Sequence, residues 1–201
     1  MRVLPRSFYS RDTSLVAREL LGKTLMRHVS QGLLSGRIVE TEAYYGLEDP
    51  ASHSFRGKTR RCAVMWERPG LAYVYFAYGM HFLLNVVTEE IGVAGAVLIR
   101  SLEPIEGIDI MRANRRRGKI TELASGPAKL TEAFAITCDF NGHDMTGGEL
   151  VVTAEGGLSD CAIGCSGRIG VSRGSDRQLR FYILDNRFVS KNKPIARHTG
   201  S

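Results

Sequence analysis

An α+β fold, a largely antiparallel and curved sheet flanked by helices, is what the order of elements predicts. Strand-like segments follow one another by short connections between residues 23 and 45, which favours antiparallel pairing because parallel strands need a long crossover. A second pair of strand-like segments flanks Gly79. The helical segments do not alternate regularly with strands, so a doubly wound parallel sheet is disfavoured. With 201 residues, 43% of them hydrophobic, the chain can bury a full core, and residues 1–201 are expected to form one domain.

Taken in order, Asp12 to Leu21 reads as a helix. Asp12 or Thr13 can cap it, apolar residues recur through Leu15, Val16, Leu20 and Leu21, and Gly22 stops it. Lys23 to Val29 is a short strand, and the GLLSG stretch is read as a turn leading into a strand over Arg37 to Tyr44. Leu71 to Tyr78 and Met80 to Val87 carry aromatic and β-branched residues on both sides of Gly79, the pattern of a hairpin with a tight turn. Ala94 to Ser101 is a buried strand, and Glu106 to Arg117 a helix with Ile108 and Met111 inward. In SGPAKLTEAFAI, Ser125 or Gly126 sits at a helix cap with Pro127 in the first turn. Glu149 to Thr153, Gly167 to Val171 and Leu179 to Leu184 supply later strands.

Composition excludes several classes. The formal charge of +6 and a pI near 9.3 lean toward a polyanionic partner. MRVLPRSFYS has no apolar signal region and no run approaches membrane-spanning length, so an intracellular protein is expected. Cys62, Cys138, Cys161 and Cys165 do not fall into the tight pairs of zinc sites, and no metal is expected. There is no Walker loop, dinucleotide fingerprint, GxSxG or HExxH.

The chemistry concentrates in IVETEAYYG, Ile38 to Gly46. Strand alternation puts Glu40, Glu42 and Tyr44 on one face. Two carboxylates there fit general acid–base work, since like charge and burial raise one pKa. From spacing alone they fit better a pair of glutamates neutralised by some of the many arginines, Arg100 among them. Tyr73 and Tyr75 share a hairpin face, and Tyr78 sits at the exposed tip, where an aromatic can act as a wedge between base steps. Tyr44, Tyr75 and His53 are flat groups able to sandwich an extruded base, although for His53 alone a loop histidine satisfied locally is the better reading. RGKTRR carries four cations in six residues and RANRRRGK five in eight. Such runs are solvated faces or phosphate grips, the latter including Arg56, Lys58 and Arg61.

RIVETEAYYGLEDPASHS, YVYFAYGMHFLLNVV, VLIRSLEP, SGPAKL and the late RIGV with LRFYI resemble, in order and spacing, the alkyladenine (3-methyladenine) DNA glycosylase family over nearly the whole chain. The resemblance implies a monofunctional enzyme without metal or cofactor and without lyase activity. It would flip alkylated or deaminated purines (3-methyladenine, 7-methylguanine, hypoxanthine, ethenoadenine) out of double-stranded DNA and hydrolyse the N-glycosidic bond. Glu42 matches the general base that activates water, with Arg100 and the backbone carbonyl of Ile169 beside that water. Tyr44 would stack on one face of the base and His53 with Tyr75 on the other. Asn85 would reject guanine, and Tyr78 on a protruding hairpin would fill the gap in the duplex. A monomer is implied, cytoplasmic or nucleoid-associated in a bacterium and nuclear in a eukaryote.

The chain departs from the family pattern at Arg60, Cys62 and Trp66, in the loop expected beside DNA. Two rival readings keep the same residues. A glycoside hydrolase also uses paired carboxylates but gives no reason for the basic runs. A non-catalytic nucleic-acid module uses cations and aromatics for stacking but leaves Glu42 unexplained.

Overall fold

The computed structural model describes residues 2–77, 79–155 and 163–190. A short helix that the sequence pattern does not announce, α1 (Arg6–Tyr9), precedes α2 (Thr13–Glu19). Asp12 caps α2 by accepting the Leu15 N–H at 2.9 Å, as its position before the apolar repeat predicts. The next elements are β1 (Thr24–Val29), β2 (Gly32–Tyr45), β3 (Ala72–Ala77), β4 (His81–Val87) and β5 (Gly95–Glu106). Helices α3 (Ile108–Arg115) and α4 (Pro127–Ala133) follow, then β6 (Leu150–Thr153), β7 (Ile163–Ser166) and β8 (Arg180–Ile183). Gly126 and Pro127 open α4 as expected.

Among the described residues every strand pairing is antiparallel, and the sheet runs β3-β4-β5-β2-β1-β6, with β8 joined to β2 and β7 to β8. The central pair is β2 with β5, in register from Ser35 opposite Glu106 to Tyr45 opposite Gly95. The register shifts on both sides of Glu40, and such irregularities deepen the local twist that curls a sheet. Beyond Arg37 the outer edge of β2 leaves β1 and pairs with β8 instead, Glu40 facing Tyr182 and Glu42 facing Arg180. The carboxylate-bearing half of β2 therefore has a strand on each side.

The core lies between the sheet and its helices. Leu20, Leu25, Leu34, Ile38, Ile99, Leu102, Met111, Leu130 and Phe134 are almost fully buried there, each worth about 1.5–3 kcal/mol in area removed from water. Helix α2 is tied to the sheet by the Thr41 hydroxyl, which donates to the Ala17 carbonyl at 2.8 Å.

Two expectations are corrected. GLLSG is strand, not turn: β2 starts at Gly32, and a Cβ on Gly36 would come within 3.1 Å of the Leu102 Cβ, so this glycine admits the neighbouring strand. Gly167 to Val171 is a loop, because its polar groups are drawn inward. Arg168 turns to Asp49, and the Ile169 N–H goes to a glutamate. The strand in that region is β7, just upstream. The hairpin of β3 and β4 forms as expected, with Gly79 at φ 69° and an exposed Met80 at its tip. Tyr78 lies outside the described residues. No helix among the described residues is long and apolar enough to cross a membrane.

Candidate active site

β2 sends Glu40, Glu42 and Tyr44 toward β5, and Arg100 of β5 meets both carboxylates. Its Nε donates to Glu40 Oε1 at 3.0 Å and its Nη1 to Glu42 Oε2 at 3.1 Å. Both glutamates are fully buried. Acid–base pair and arginine-paired carboxylates are the two readings of this face; both glutamates meet Arg100, and they differ in their other donors.

Glu40 is saturated. Its Oε1 accepts from Arg100, from Arg180 Nε at 2.7 Å and from the Ser190 hydroxyl at 2.8 Å, while Oε2 accepts from the Ser101 hydroxyl and the Ser190 N–H, each at 2.8 Å. Burial pushes its pKa up, but Arg100, Arg180 and these donors outweigh it, holding the carboxyl below its usual value.

Glu42 has fewer donors. Oε1 accepts the Ile169 N–H at 2.7 Å, and Oε2 accepts Arg100 and the Tyr44 hydroxyl, the latter at 2.8 Å. Among the described residues the Ile169 N–H is the one donor to Oε1, so this oxygen retains acceptor capacity. Burial, helped by the charge of Glu40, raises this carboxyl above its usual value despite Arg100, Ile169 and Tyr44. Two carboxyls on one strand thus have pKa values pushed apart, the arrangement that separates a structural anion from a group able to take a proton. Burial beside Glu42 raises the Tyr44 phenol, which stays a neutral donor.

Above these groups opens a cavity of about 450 Å³ lined by Tyr44, His53, Tyr73, Tyr75, Asn85, Arg100 and Ile169, with Leu83, Leu98 and Pro127 supplying apolar wall. That size is within the range of small-ligand sites. Glu42 lies directly behind three of the lining residues. The His53 ring stands edge-on to Tyr75, centroids 4.5 Å apart, and its Nδ1 is 2.8 Å from the Tyr73 hydroxyl. Packing against these rings, with the Arg61 charge nearby, lowers the His53 pKa to about 4, so the imidazole is neutral at pH 7. The Asn85 amide donates to the Tyr73 carbonyl at 3.0 Å, turning its side-chain oxygen the other way.

Arg56, Lys58 and Arg61 occupy the exposed loop that follows His53. Lys58 lies 3.2 Å from Glu67, and Arg61 donates to the Phe76 carbonyl at 3.2 Å while its guanidinium sits 5.3 Å from the Tyr75 ring centroid. Cys62 is fully buried with its sulfur 3.0 Å from the Thr59 hydroxyl, closing this loop. In the second basic run, Arg112 is paired with Asp109 and Arg115 with Glu132.

Three residues of this neighbourhood escape sequence reasoning: Asp49, Arg168 and Arg180. For the two arginines the signal is a charge inside an apolar strand-like run, Arg180 in LRFYI and Arg168 in RIGV, which asks for a buried partner; Asp49, in GLEDP, carries no such signal.

The methylpurine-DNA glycosylase family model matches residues 7–187. A protein of Carboxydothermus hydrogenoformans named "Putative 3-methyladenine DNA glycosylase" is 51% identical over 190 residues, covering 94% of this chain and 99% of that protein. Proteins bearing the same name from Chlorobium phaeobacteroides and Methanoculleus marisnigri are each 46% identical, over 95% and 94% of this chain and 98% of either relative. Likeness of this extent, over the strands that carry Glu42, Arg100 and the aromatic cavity, means that the chain belongs to the methylpurine-DNA glycosylase family of base-excision-repair hydrolases.

Proposed function

We propose that residues 1–201 act as a single, monomeric, intracellular glycosylase domain that takes damaged purines from double-stranded DNA. The substrates are 3-methyladenine, 7-methylguanine, hypoxanthine and ethenoadenine. The target nucleotide is flipped out of the stack into the aromatic cavity, at a cost of a few kcal/mol that is least where damage has weakened pairing. Tyr44 stacks on one face of the base and His53 with Tyr75 on the other. Tyr78 fills the vacated space, Asn85 opposes the exocyclic amino group of guanine, and Arg56, Lys58 and Arg61 hold phosphates.

Glu42 serves as the general base for a water that attacks the deoxyribose C1′. The proton passes to Glu42, the C1′–N bond breaks, and its electron pair leaves with the purine. Arg100 and the Ile169 carbonyl hold the water in line. Water is the nucleophile and Glu42 takes its proton, so no lysine forms a covalent intermediate. Cationic lesions leave readily, whereas neutral hypoxanthine depends more on the protein.

The observation that carries this reading is the state of Glu42: a buried carboxyl of raised pKa, held by Arg100, Tyr44 and Ile169 behind an aromatic cavity, with acceptor capacity left on Oε1. The test is single-turnover release of hypoxanthine from a duplex. Glu42→Gln keeps the shape and cannot take the proton, so lesion binding should persist while the rate falls by about 10²–10⁴-fold. Release by Glu42→Gln at the wild-type rate would remove Glu42 from the chemistry.

A further inference from the structure

Beneath the aromatic cavity lies a second buried ion pair that none of the proposed roles uses. Asp49 and Arg168 are joined side by side, Nη1 to Oδ2 at 2.5 Å and Nη2 to Oδ1 at 2.7 Å, and both side chains are 0% exposed. Arg168 Nη1 also donates to the Ala43 carbonyl at 3.0 Å and Nη2 to the Gly174 carbonyl at 3.4 Å. Asp49 in turn accepts the Tyr45 N–H at 3.1 Å and the Ala51 N–H at 3.2 Å. Four stretches of chain meet here: the end of β2, the loop that leads to His53, the 167–171 loop and Gly174.

The location matters more than the number of bonds. The Arg168 guanidinium lies 4.7 Å from the centroid of the Tyr44 ring. One peptide further along, the Ile169 N–H reaches Glu42. Arg168 Nε finds no hydrogen-bond partner among the described residues, so the guanidinium is aimed by its two terminal nitrogens alone. A buried ion pair is a poor source of stability compared with well-packed apolar side chains, and leaving a buried N–H unmade adds a penalty. Geometry at Tyr44 and Glu42 is the compensating use.

We propose that the Asp49–Arg168 pair is a positioning element for catalysis, which fixes the 167–171 loop so that the Ile169 N–H meets Glu42 and backs the ring of Tyr44 with a planar cation. The proposal rests on Glu42 as the general base. Arginine is required rather than any cation, because only its fork engages the carboxylate through two parallel bonds while reaching two carbonyls. Loosening the pair should withdraw the Ile169 N–H, a donor that lowers the Glu42 pKa. Glu42 then needs a higher pH to act as a base.

The experiment measures hypoxanthine excision in single turnovers across pH, with thermal melting, for wild type, Arg168→Lys, Asp49→Asn and Glu42→Gln. Arg168→Lys keeps the charge and loses the fork; Asp49→Asn keeps the shape and halves the pairing. Each is expected to lose about tenfold on the acidic side, the scale of one hydrogen bond to a charged group, and to recover toward higher pH as the acidic limb moves upward. A brace without influence on Glu42 would lower the rate equally at every pH. An unmoved limb in folded variants overturns the proposal, and so does failure of both variants to fold. Glu42→Gln is the separate control: if it excises like wild type, the general-base reading fails and the positioning role falls with it, whereas an inactive Glu42→Gln beside unmoved limbs condemns the pair alone.

Discussion

Glu40 and Glu42 stand two positions apart on β2 with Thr41 between them, and their environments differ by the donors around each oxygen. Glu40 collects five hydrogen bonds, Glu42 three. One of the three is the Tyr44 hydroxyl, which gives that tyrosine two duties: a flat ring in the cavity and a donor to the proposed base. Tyr44→Phe separates them. The ring and its stacking survive, while Glu42 loses a bond that lowers its pKa, so the base requires higher pH. Lesion affinity should stay within about twofold of wild type, and excision on the acidic side should fall on the order of tenfold. A lesion-binding titration beside a pH–rate profile checks this. Affinity lost without movement of the profile would give Tyr44 a stacking role only. At this scale the sequence was half legible. Alternation put both glutamates and Tyr44 on one face, yet no local pattern could say which carboxylate was saturated. The deciding donors, Arg180, Ser190 and the Ile169 N–H, come from more than a hundred residues away.

At the level of elements, the chemistry rests on β2 being held between β5 and β8 where it bears the glutamates. Periodicity and turn residues announced α2, the hairpin and the long central strands, because their apolar faces repeat locally. They misplaced Gly36, which serves strand contact instead of a turn, and Gly167 to Val171, whose hydrogen bonds serve the site instead of a ladder. The β2–β5–β8 cluster of Glu40, Glu42, Arg100 and Arg180 makes opposite stability predictions for its two carboxylates. The folded-state pKa of Glu40 is depressed, so it stabilises above the unfolded value of about 4.3, and that stability is lost as pH falls through the folded value. The folded-state pKa of Glu42 is raised, so its ionisation at neutral pH costs stability. Glu40→Gln leaves buried arginines short of a partner and should lower unfolding free energy by roughly 3–5 kcal/mol at pH 7. Glu42→Gln should unfold at the wild-type denaturant concentration or above it. Urea titrations of both variants decide the matter, and equal destabilisation would deny the two carboxylates their different environments.

For the molecule as a whole, a charge of +6 meets a phosphate backbone, but not every cation is available. Arg112 and Arg115 are committed to Asp109 and Glu132 within the α3–α4 region, and Lys58 shares Glu67. Arg56 is exposed on the loop that carries His53 to the cavity, where the proposed reading puts the flipped nucleotide. Each phosphate contact releases condensed counterions and adds about 0.9 to the slope of log affinity against log salt. Arg56→Ala should therefore flatten that slope by about one unit and weaken lesion and undamaged duplexes alike, because phosphate contacts position without reading the base. Lys58→Ala should flatten it less, since Lys58 must leave Glu67 to reach DNA and brings that carboxylate close to the phosphates. Arg112→Ala should likewise flatten it less than Arg56→Ala, its exposed guanidinium being shared with Asp109. Fluorescence anisotropy at four or more salt concentrations, with one lesion duplex and its undamaged counterpart, measures all three. A slope flattened as much by Arg112→Ala as by Arg56→Ala would move the DNA track onto α3, away from the mouth of the aromatic cavity. The proposed placement of a flipped base between Tyr44, His53 and Tyr75 would then have to be redrawn from that surface.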